Sequence, residues 1–199
     1  KINHTNFNFT TIDLSNITQV NNLVLPFVTS NNVILINNAA TIGSIAPFDK
    51  KEISDIINEY NLNIVSPTLM CKKFITTYHD QKKLIINIGS GAANSPIPSW
   101  STYCATKAAL DMLTKVIAEE NHKNLKVFSV HPGIVDTNMQ KTIRETSRDL
   151  FPLLSKFTAY NSKNELETTT IAAKKIHYII LNSNQFIKSI LSIRDVDLK

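Results

Sequence analysis

The chain has 199 residues, of which 43% are hydrophobic and 19% are charged, and its formal net charge is +5. This length and this composition are those of one globular domain. The lysines are spread along the chain instead of forming an arginine-rich run, and no apolar stretch approaches the ~20 residues of a membrane span, so we predict neither nucleic acid nor a membrane as a partner.

Strand and helix patterns alternate along the chain, which predicts an α/β fold with a parallel sheet. The predicted elements of the first half are a strand over 7–12, a helix over 15–29 capped by Ser15, a buried strand over 33–37, a loop over 39–48 and a helix over 52–79 kinked at Pro67. Those of the second half are a strand over 84–88, a helix over 102–121, a strand over 126–130, short helices over 141–166, a helix over 168–181 and a strand over 189–196.

The cysteines and histidines show no metal-binding pattern. Cys71 and Cys104 do not form a metal-spaced cluster, and the five histidines have no ligand spacing. We therefore expect no metal site and two free thiols, which are typical of a cytoplasmic protein.

The most informative pair is Tyr103 and Lys107, which lie four residues apart in a predicted helix. This spacing places both side chains on one face, about one turn apart. A nearby positive charge favours phenolate, so we expect Lys107 to lower the pKa of Tyr103 and to make the phenol a usable acid. Ser90 ends the preceding apolar strand and can donate a hydrogen bond to a carbonyl oxygen.

A second Tyr-x-x-x-Lys pair, Tyr78 and Lys82, shows that the spacing alone is not specific. It has Val65 where the first pair has Ser90, and it is interpreted as part of a solvated helix end. The position of the polar residues adds independent support for the first pair, since ligands of open α/β sheets bind beyond the carboxyl ends of the strands. The residues predicted to lie at such ends are Asp13, Asn37, Ser90 and Pro132.

Four motifs together resemble the short-chain dehydrogenase/reductase family. They are Asn37-Asn38-Ala39-Ala40 after a strand, Ile88-Gly89-Ser90, the Tyr103 to Lys107 segment, and Pro132-Gly133-Ile134-Val135-Asp136-Thr137, and they occur in the family's order and spacing. Residues 90–93, Trp100, 103–107 and 135–140 are most similar to the sepiapterin reductase and benzil reductase branch.

The resemblance implies a Rossmann-like, doubly wound parallel sheet in a single domain over residues 1–199. It implies an NADP-dependent carbonyl reductase acting on a small-molecule ketone or diketone, either a pterin side-chain ketone or a benzil-like compound. NAD is the alternative cofactor, and 3-oxoacyl thioester reduction is the neighbouring activity within the family. A homodimer or homotetramer formed through the helices predicted over 52–79 and 102–121 is also implied.

The family's catalytic roles transfer to four positions of this sequence. Tyr103 corresponds to the general acid, Lys107 also binds the nicotinamide ribose, and Ser90 steadies the substrate oxygen. Asn63 matches the helix asparagine that holds a water in the proton relay. Two other asparagines of the same helix compete for that assignment, Asn58 and Asn61.

Further positions are implied to contact the cofactor or the substrate. Asp13 corresponds to the aspartate near the adenine, or is a turn residue beside Ser15. Asn37 lies by the cofactor or braces the sheet, while Val135 and Thr137 hold the nicotinamide carboxamide. The substrate candidates are Trp100, which forms a wall or simply packs, together with Met139 and Phe151 in the region over the site.

The family's glycine-rich phosphate-binding turn is not found in this sequence. None of the four glycines, Gly43, Gly89, Gly91 and Gly133, forms a G-x-x-x-G-x-G pattern. Without the strand–helix–strand unit that carries the turn, the strand over 7–12 has no neighbour and the strand over 33–36 becomes an apolar edge. We therefore expect upstream residues that complete the enzyme; the alternative is a truncated, noncatalytic scaffold or partner-binding protein.

Overall fold

A four-stranded parallel sheet forms the centre of the protein, in a computed structural model that describes residues 7–198. The strands are β1 (Asn32–Asn37), β2 (Lys82–Ile88), β3 (Leu125–His131) and β4 (Ile190–Ser192), and they are hydrogen-bonded in the order β1-β2-β3-β4. In this register Asn37 lies beside Asn87, and Asn87 lies beside Ser129. The carboxyl ends of the three longer strands therefore meet at one edge of the sheet.

In the described part of the chain, seven α-helices surround the sheet. They are α1 (Ile17–Asn22), α2 (Ile53–Tyr60), α3 (Ser66–Thr77), α4 (Ser101–Glu119), α5 (Asn138–Glu145), α6 (Leu154–Ser162) and α7 (Thr169–Leu181). On one face, Leu84 and Phe128 pack against Ile179 of α7. On the other face, Ile85 and Val127 pack against α3 and α4. Because helices cover both faces of a parallel sheet, the structure confirms the predicted Rossmann-like α/β fold.

β1 is one of the two edge strands of the sheet within residues 7–198, and β4 is the other. Val33 and Leu35 pack against the core on the α3 side, whereas Ile34 and Ile36 are 50% and 48% exposed on the other face. The apolar edge expected over residues 33–36 is thus present. The strand predicted over 7–12 is wrong, because residues 7–13 form no strand and β1 pairs only with β2. An extended segment gains ladder hydrogen bonds only where a neighbouring strand is available.

Two helix predictions also need correction. The first helix begins after Asn16, whose side chain accepts a hydrogen bond from the Gln19 N–H, and it ends at Asn22 and not near residue 29. Ser15, the predicted cap, instead donates to Asp13. Both Ser and Asn are favourable caps, so composition does not decide between them.

The helix predicted over 52–79 is continuous, but its irregularity precedes Pro67 instead of arising at it. A π-helical segment, Asn61–Val65, joins α2 to α3, and Pro67 lies in the first turn of α3. A proline is tolerated there because its missing N–H donor has no required partner. The last strand is likewise shorter than predicted, since residues 193–195 turn into a 3₁₀-helix.

The loop after β1 approaches α2 so closely that only glycine fits at position 43. Gly43 has φ +64°, and a Cβ added there would lie 2.2 Å from Oε2 of Glu59, which is fully buried. We predict that Gly43→Ala lowers the free energy of unfolding by at least about 2 kcal/mol, through left-handed backbone strain and displacement of Glu59.

Urea unfolding followed by circular dichroism measures this loss. Gly91→Ala is the matched control, because a Cβ at position 91 would meet no atom within 4 Å. Equal stability of the Gly43 and Gly91 variants would show that the approach to Glu59 is not tight.

Candidate active site

Ser90, Tyr103 and Lys107 lie at the carboxyl end of β2, where α4 begins. Ser90 follows β2 after Gly89 and caps the short 3₁₀ turn Gly91–Asn94, its Oγ accepting from the Ala92 N–H at 3.2 Å. Tyr103 and Lys107 occupy the first two turns of α4 on its buried face. The structure therefore brings together the three residues that the sequence predicted to share a site.

Lys107 is held against the end of β2. Its side chain is buried, with 2% exposure, and Nζ donates a hydrogen bond of 2.9 Å to the Ile88 carbonyl oxygen. The same ammonium lies over the Tyr103 ring, 5.7 Å from the ring centroid. One strand-end carbonyl thus fixes the lysine relative to the tyrosine one turn earlier.

The protonation equilibria of this pair are governed first by burial. Burial raises the pKa of Tyr103, and a hydrogen bond involving Ser90 opposes that rise. Burial lowers the pKa of Lys107 to about 8, and the charge of Asp111 opposes that fall. The expected lowering of the Tyr103 pKa by Lys107 is therefore not found: the ammonium is directed at the Ile88 oxygen, and removal from water outweighs its charge.

Asn63 connects the loop after β1 to α4. It is 1% exposed in the π-helical segment, where Oδ1 accepts from the Thr41 N–H at 2.9 Å and Nδ2 donates to the Thr41 oxygen at 2.8 Å. Nδ2 also lies 3.3 Å from the Thr106 hydroxyl, between Tyr103 and Lys107 in sequence. Among the three competing asparagines only Asn63 is buried, and its role in a proton relay stays a prediction.

Asn37 braces the sheet. Its Nδ2 donates to Oδ1 of Asn87 at 2.8 Å, and Asn87 in turn donates to the Thr114 hydroxyl on α4 at 2.9 Å.

Asp13 lies elsewhere: it is exposed, follows no strand among the described residues, and accepts hydrogen bonds from the Ser15 N–H and Oγ. Those bonds lower the pKa of the Asp13 carboxyl. These contacts are those of a residue that braces the sheet, for Asn37, and of a turn residue, for Asp13. The cofactor roles of both residues stay predictions.

Val135 and Thr137 follow β3 through the turn at Gly133, which has φ +72°. Val135 forms an isolated parallel bridge with Glu167. Thr137 is exposed and precedes the first residue of α5, and its side chain makes no capping hydrogen bond. Thr137 is therefore exposed near the carboxyl end of β3, and its contact with the nicotinamide carboxamide stays a prediction.

An aromatic cluster packs against Tyr103. Trp100 meets Tyr103 edge to face at 5.7 Å between centroids, and its other neighbours are Phe151, stacked at 5.4 Å, and Phe157 at 5.0 Å. Met139 of α5 packs against the same cluster. The Trp100 Nε1–H is buried without an acceptor among the described residues. Sequence reasoning missed Phe157, whose signal was the Phe157–Tyr160 aromatic pair one turn apart.

A buried ion pair behind Tyr103 was also missed. Lys51 Nζ lies 3.4 Å from Glu59 Oε2 and 2.9 Å from the Thr102 hydroxyl, which itself donates to Glu59. Lys51, Glu59 and Thr102 are all buried, and burial raises the pKa of Glu59. No sequence spacing links these residues, because they come from a loop, from α2 and from α4.

Two further observations concern other classes of site. Within residues 7–198, no three His, Cys, Asp or Glu side chains are grouped as a metal ion requires. In the same part of the chain, no helix has both the length and the apolar character needed to cross a bilayer. Both cysteines, Cys71 and Cys104, are free thiols.

Comparison with solved structures shows the same fold. A short-chain dehydrogenase/reductase from Saccharomyces cerevisiae superimposes with a TM-score of 0.81 over 94% of this chain and 76% of its own, at 23% identity. ElxO with NADP bound gives a TM-score of 0.72 at 26% identity, over 94% of this chain and 76% of its own. A 4-hydroxyisoleucine dehydrogenase complexed with NADH gives 0.72 at 26% identity, over 91% and 74%.

Sequence comparison agrees with the structural one. The chain is 34% identical to a benzil reductase of Bacillus cereus, over 75% of this chain and 62% of the relative. It is 35% identical to the sepiapterin reductase of Rattus norvegicus, over 72% and 56%. The chain thus spans about six tenths of the length of these relatives. Residues 1–148 match the profile described as short chain dehydrogenase, and the chain therefore belongs to the short-chain dehydrogenase/reductase family.

Proposed function

We propose that the protein is an NADP-dependent carbonyl reductase that acts on a ketone or a diketone, with Tyr103 as the general acid. The observation that carries this proposal is the placement of the Tyr103 phenol beside Ser90 and Lys107 at the carboxyl end of β2. Membership of an oxidoreductase family, and relatives named benzil reductase and sepiapterin reductase, support the same reaction class.

The residues of this site fit the nicotinamide end of a dinucleotide. An ammonium has three N–H donors, and Lys107 uses one of them on the Ile88 oxygen, which leaves donors for the hydroxyls of a ribose. Asn37, Val135 and Thr137 lie at or after strand ends on the same edge of the sheet. Asp13 is the proposed contact on the adenine side. When bound, the cofactor supplies a hydride to the carbonyl carbon.

The chain's own residues then handle the carbonyl oxygen. Burial keeps the Tyr103 phenol protonated at neutral pH, which is the form that a general acid needs. The phenol donates its proton to the oxygen as negative charge develops there, and the Ser90 hydroxyl donates a hydrogen bond to the same atom. Asn63 holds Thr41 and the loop around it against α4, and we propose that it also holds a water that returns the proton through Lys107.

The rings of the aromatic cluster are buried against one another, with Trp100 5% and Phe151 0% exposed. Trp100 and Met139 lie on the side of Tyr103 that α5 and α6 cover, and Phe151 stacks parallel to the indole. Trp100 and the partly buried Met139 remain the proposed substrate contacts. Because relatives are named benzil reductase and sepiapterin reductase, we favour a benzil-like diketone or a pterin side-chain ketone over the 3-oxoacyl thioester of neighbouring family members.

The choice of cofactor and the assembly state are the finer parts of the proposal. We propose NADP because the sequence resembles the sepiapterin and benzil reductase branch. NAD is the alternative, since structural relatives are described with either NADP or NADH bound. We also propose a cytoplasmic homodimer or homotetramer. Its contact surface would be the exposed apolar residues of α2 and α4, namely Ile53, Ile57, Met112 and Val116.

Substitution of Tyr103 by phenylalanine tests the mechanism. The phenol proton is removed while the ring contacts with Trp100 are kept, so we expect benzil reduction with NADPH to fall by about 10²–10⁴-fold. NADPH binding, followed by its fluorescence, should be retained in the variant.

Tyr78→Phe is the matched control, because Tyr78 belongs to the other Tyr-x-x-x-Lys pair and its hydroxyl donates to the Pro26 oxygen. Its turnover should be unchanged. Retained turnover in Tyr103→Phe would overturn the mechanism. A folded wild-type chain that does not bind NADPH would favour the noncatalytic scaffold instead.

Substitution of Met112 by lysine tests the assembly. Met112 is 58% exposed on α4, so a charge there should change the free energy of unfolding of a monomer little. The same charge should weaken the contact between the apolar faces of two protomers. We expect light scattering after size exclusion to give a dimer or tetramer mass for the wild type and a monomer mass for Met112→Lys. Leu181→Lys, at a 70% exposed position of α7, should leave the mass unchanged. A monomeric wild type would contradict the proposal.

A further inference from the structure

A buried carboxylate lies one helical turn beyond Lys107. Asp111 is 5% exposed on α4, and its position four residues after Lys107 places the two side chains on the same buried face of the helix. It is not one of the residues implied by the family motifs. A buried carboxylate is costly unless hydrogen bonds or an opposite charge compensate it, so its surroundings should indicate its role.

Two residues of β3 hold the Asp111 carboxylate. The Ser129 hydroxyl donates to Oδ1 at 2.6 Å, and Nε2 of His131 lies 2.9 Å from Oδ2 and 3.1 Å from Oδ1. Ser129 is fully buried and His131 is 9% exposed. The carboxylate is therefore fixed between α4 and β3, with both oxygens engaged.

The cluster also explains the glycine that precedes Ser90. A Cβ at Gly89 would lie 2.4 Å from Oγ of Ser129 and 2.6 Å from Cδ2 of His131. A side chain at position 89 would displace the two groups that hold Asp111. The Asp111 cluster and the Ser90 strand end are thus packed directly on each other.

Among residues 7–198, Asp111 is the charged group that acts on Lys107. Asp111 and Tyr103 share its helix, His131 of β3 contacts Asp111, and Glu59 of α2 acts on Tyr103. The Ile88 carbonyl oxygen of β2 is the hydrogen-bond acceptor for Nζ. Burial favours the neutral amine, and Asp111 is the charged group that opposes burial at Lys107.

We propose that Asp111 is a positioning residue whose fixed carboxylate keeps the buried Lys107 in its ammonium form. Ser129 and His131 hold the carboxylate in place for this purpose. The effect on the charge of Lys107 is independent of catalysis. Its consequence for turnover rests on the proposed carbonyl reduction.

Direct titration of Lys107 tests the proposal without any cofactor. The full chain is labelled with ¹³C,¹⁵N-lysine, and the Lys107 signal is identified by its loss in Lys107→Met. We expect a pKa of about 8 in the wild type. In Asp111→Asn it should be lower by about one pH unit or more, because the compensating charge is gone.

Two variants serve as controls. Asp111→Glu keeps the charge, so the Lys107 pKa should stay closer to the wild-type value than in Asp111→Asn. Asp49→Asn removes a carboxylate at an exposed position and should leave it unchanged. An unchanged Lys107 pKa in a folded Asp111→Asn would overturn the proposal.

A variant that fails to fold remains informative. If Asp111→Asn unfolds because Lys107 has lost its compensating charge, adding Lys107→Met should restore folding, since an apolar side chain needs no counter-charge. If the double variant also fails to fold, Asp111 acts by bracing β3 and the proposal is wrong.

The pH profile separates this inference from the proposed function. If the ammonium is needed for turnover, activity is lost as pH rises through the pKa of Lys107, and Asp111→Asn should move that alkaline limb to lower pH. A lowered Lys107 pKa in a chain that reduces no carbonyl would overturn the function and keep the inference. An enzyme that reduces carbonyls but whose Lys107 pKa is unchanged in Asp111→Asn would keep the proposed function and overturn the inference.

Discussion

The hydrogen bond from Lys107 Nζ to the Ile88 carbonyl oxygen is the contact on which the site depends. It ties the second turn of α4 to the last residue of β2, and Ser90 follows that residue by two positions. Because the lysine is buried, this bond and the nearby carboxylate are what make its charge tolerable. The relative placement of Ser90, Tyr103 and Lys107 is therefore set by the packing of one helix on one strand end.

Further hydrogen bonds between buried polar side chains join α4 to the segments around it. Thr106 meets Asn63, Thr114 meets Asn87, Thr102 meets the Lys51–Glu59 pair, and Asp111 meets β3. Each contact joins α4 to a different segment of the chain. Hydrogen bonds between buried polar groups require specific partners at specific positions, so they restrict the arrangement of the elements that they join. α4 is thus held in register at four points along its length, and the acid and its neighbours are carried on its first two turns.

The sequence predicted the parts of this structure that depend on local pattern. Alternating apolar runs located β1, β2 and β3, and the four-residue spacing placed Tyr103 and Lys107 on one face of α4. What it could not give depends on distant partners. Residues 7–12 have strand-like composition, but within residues 7–198 no neighbouring strand pairs with them. Spacing also cannot report burial, and burial decides that the pKa of Tyr103 rises instead of falling. Lys51, Glu59 and His131 reach the site only through the tertiary fold.

The predicted site has a buried part with many contacts, around Tyr103, and an exposed part with few contacts, at Asp13. The residues that would act on a carbonyl are braced by buried contacts of α4 with the end of β2 and with β3, namely Lys107 with the Ile88 oxygen and Asp111 with Ser129 and His131. Asp13, predicted to lie near the adenine, is exposed and bonded only within its own turn and to Gln19 among residues 7–198. The exposed face of β1, with Ile34 and Ile36, lies at the sheet edge farthest from β4. Since α4 packs on β3 and on the turn after β2, the geometry of the acid is fixed independently of that edge.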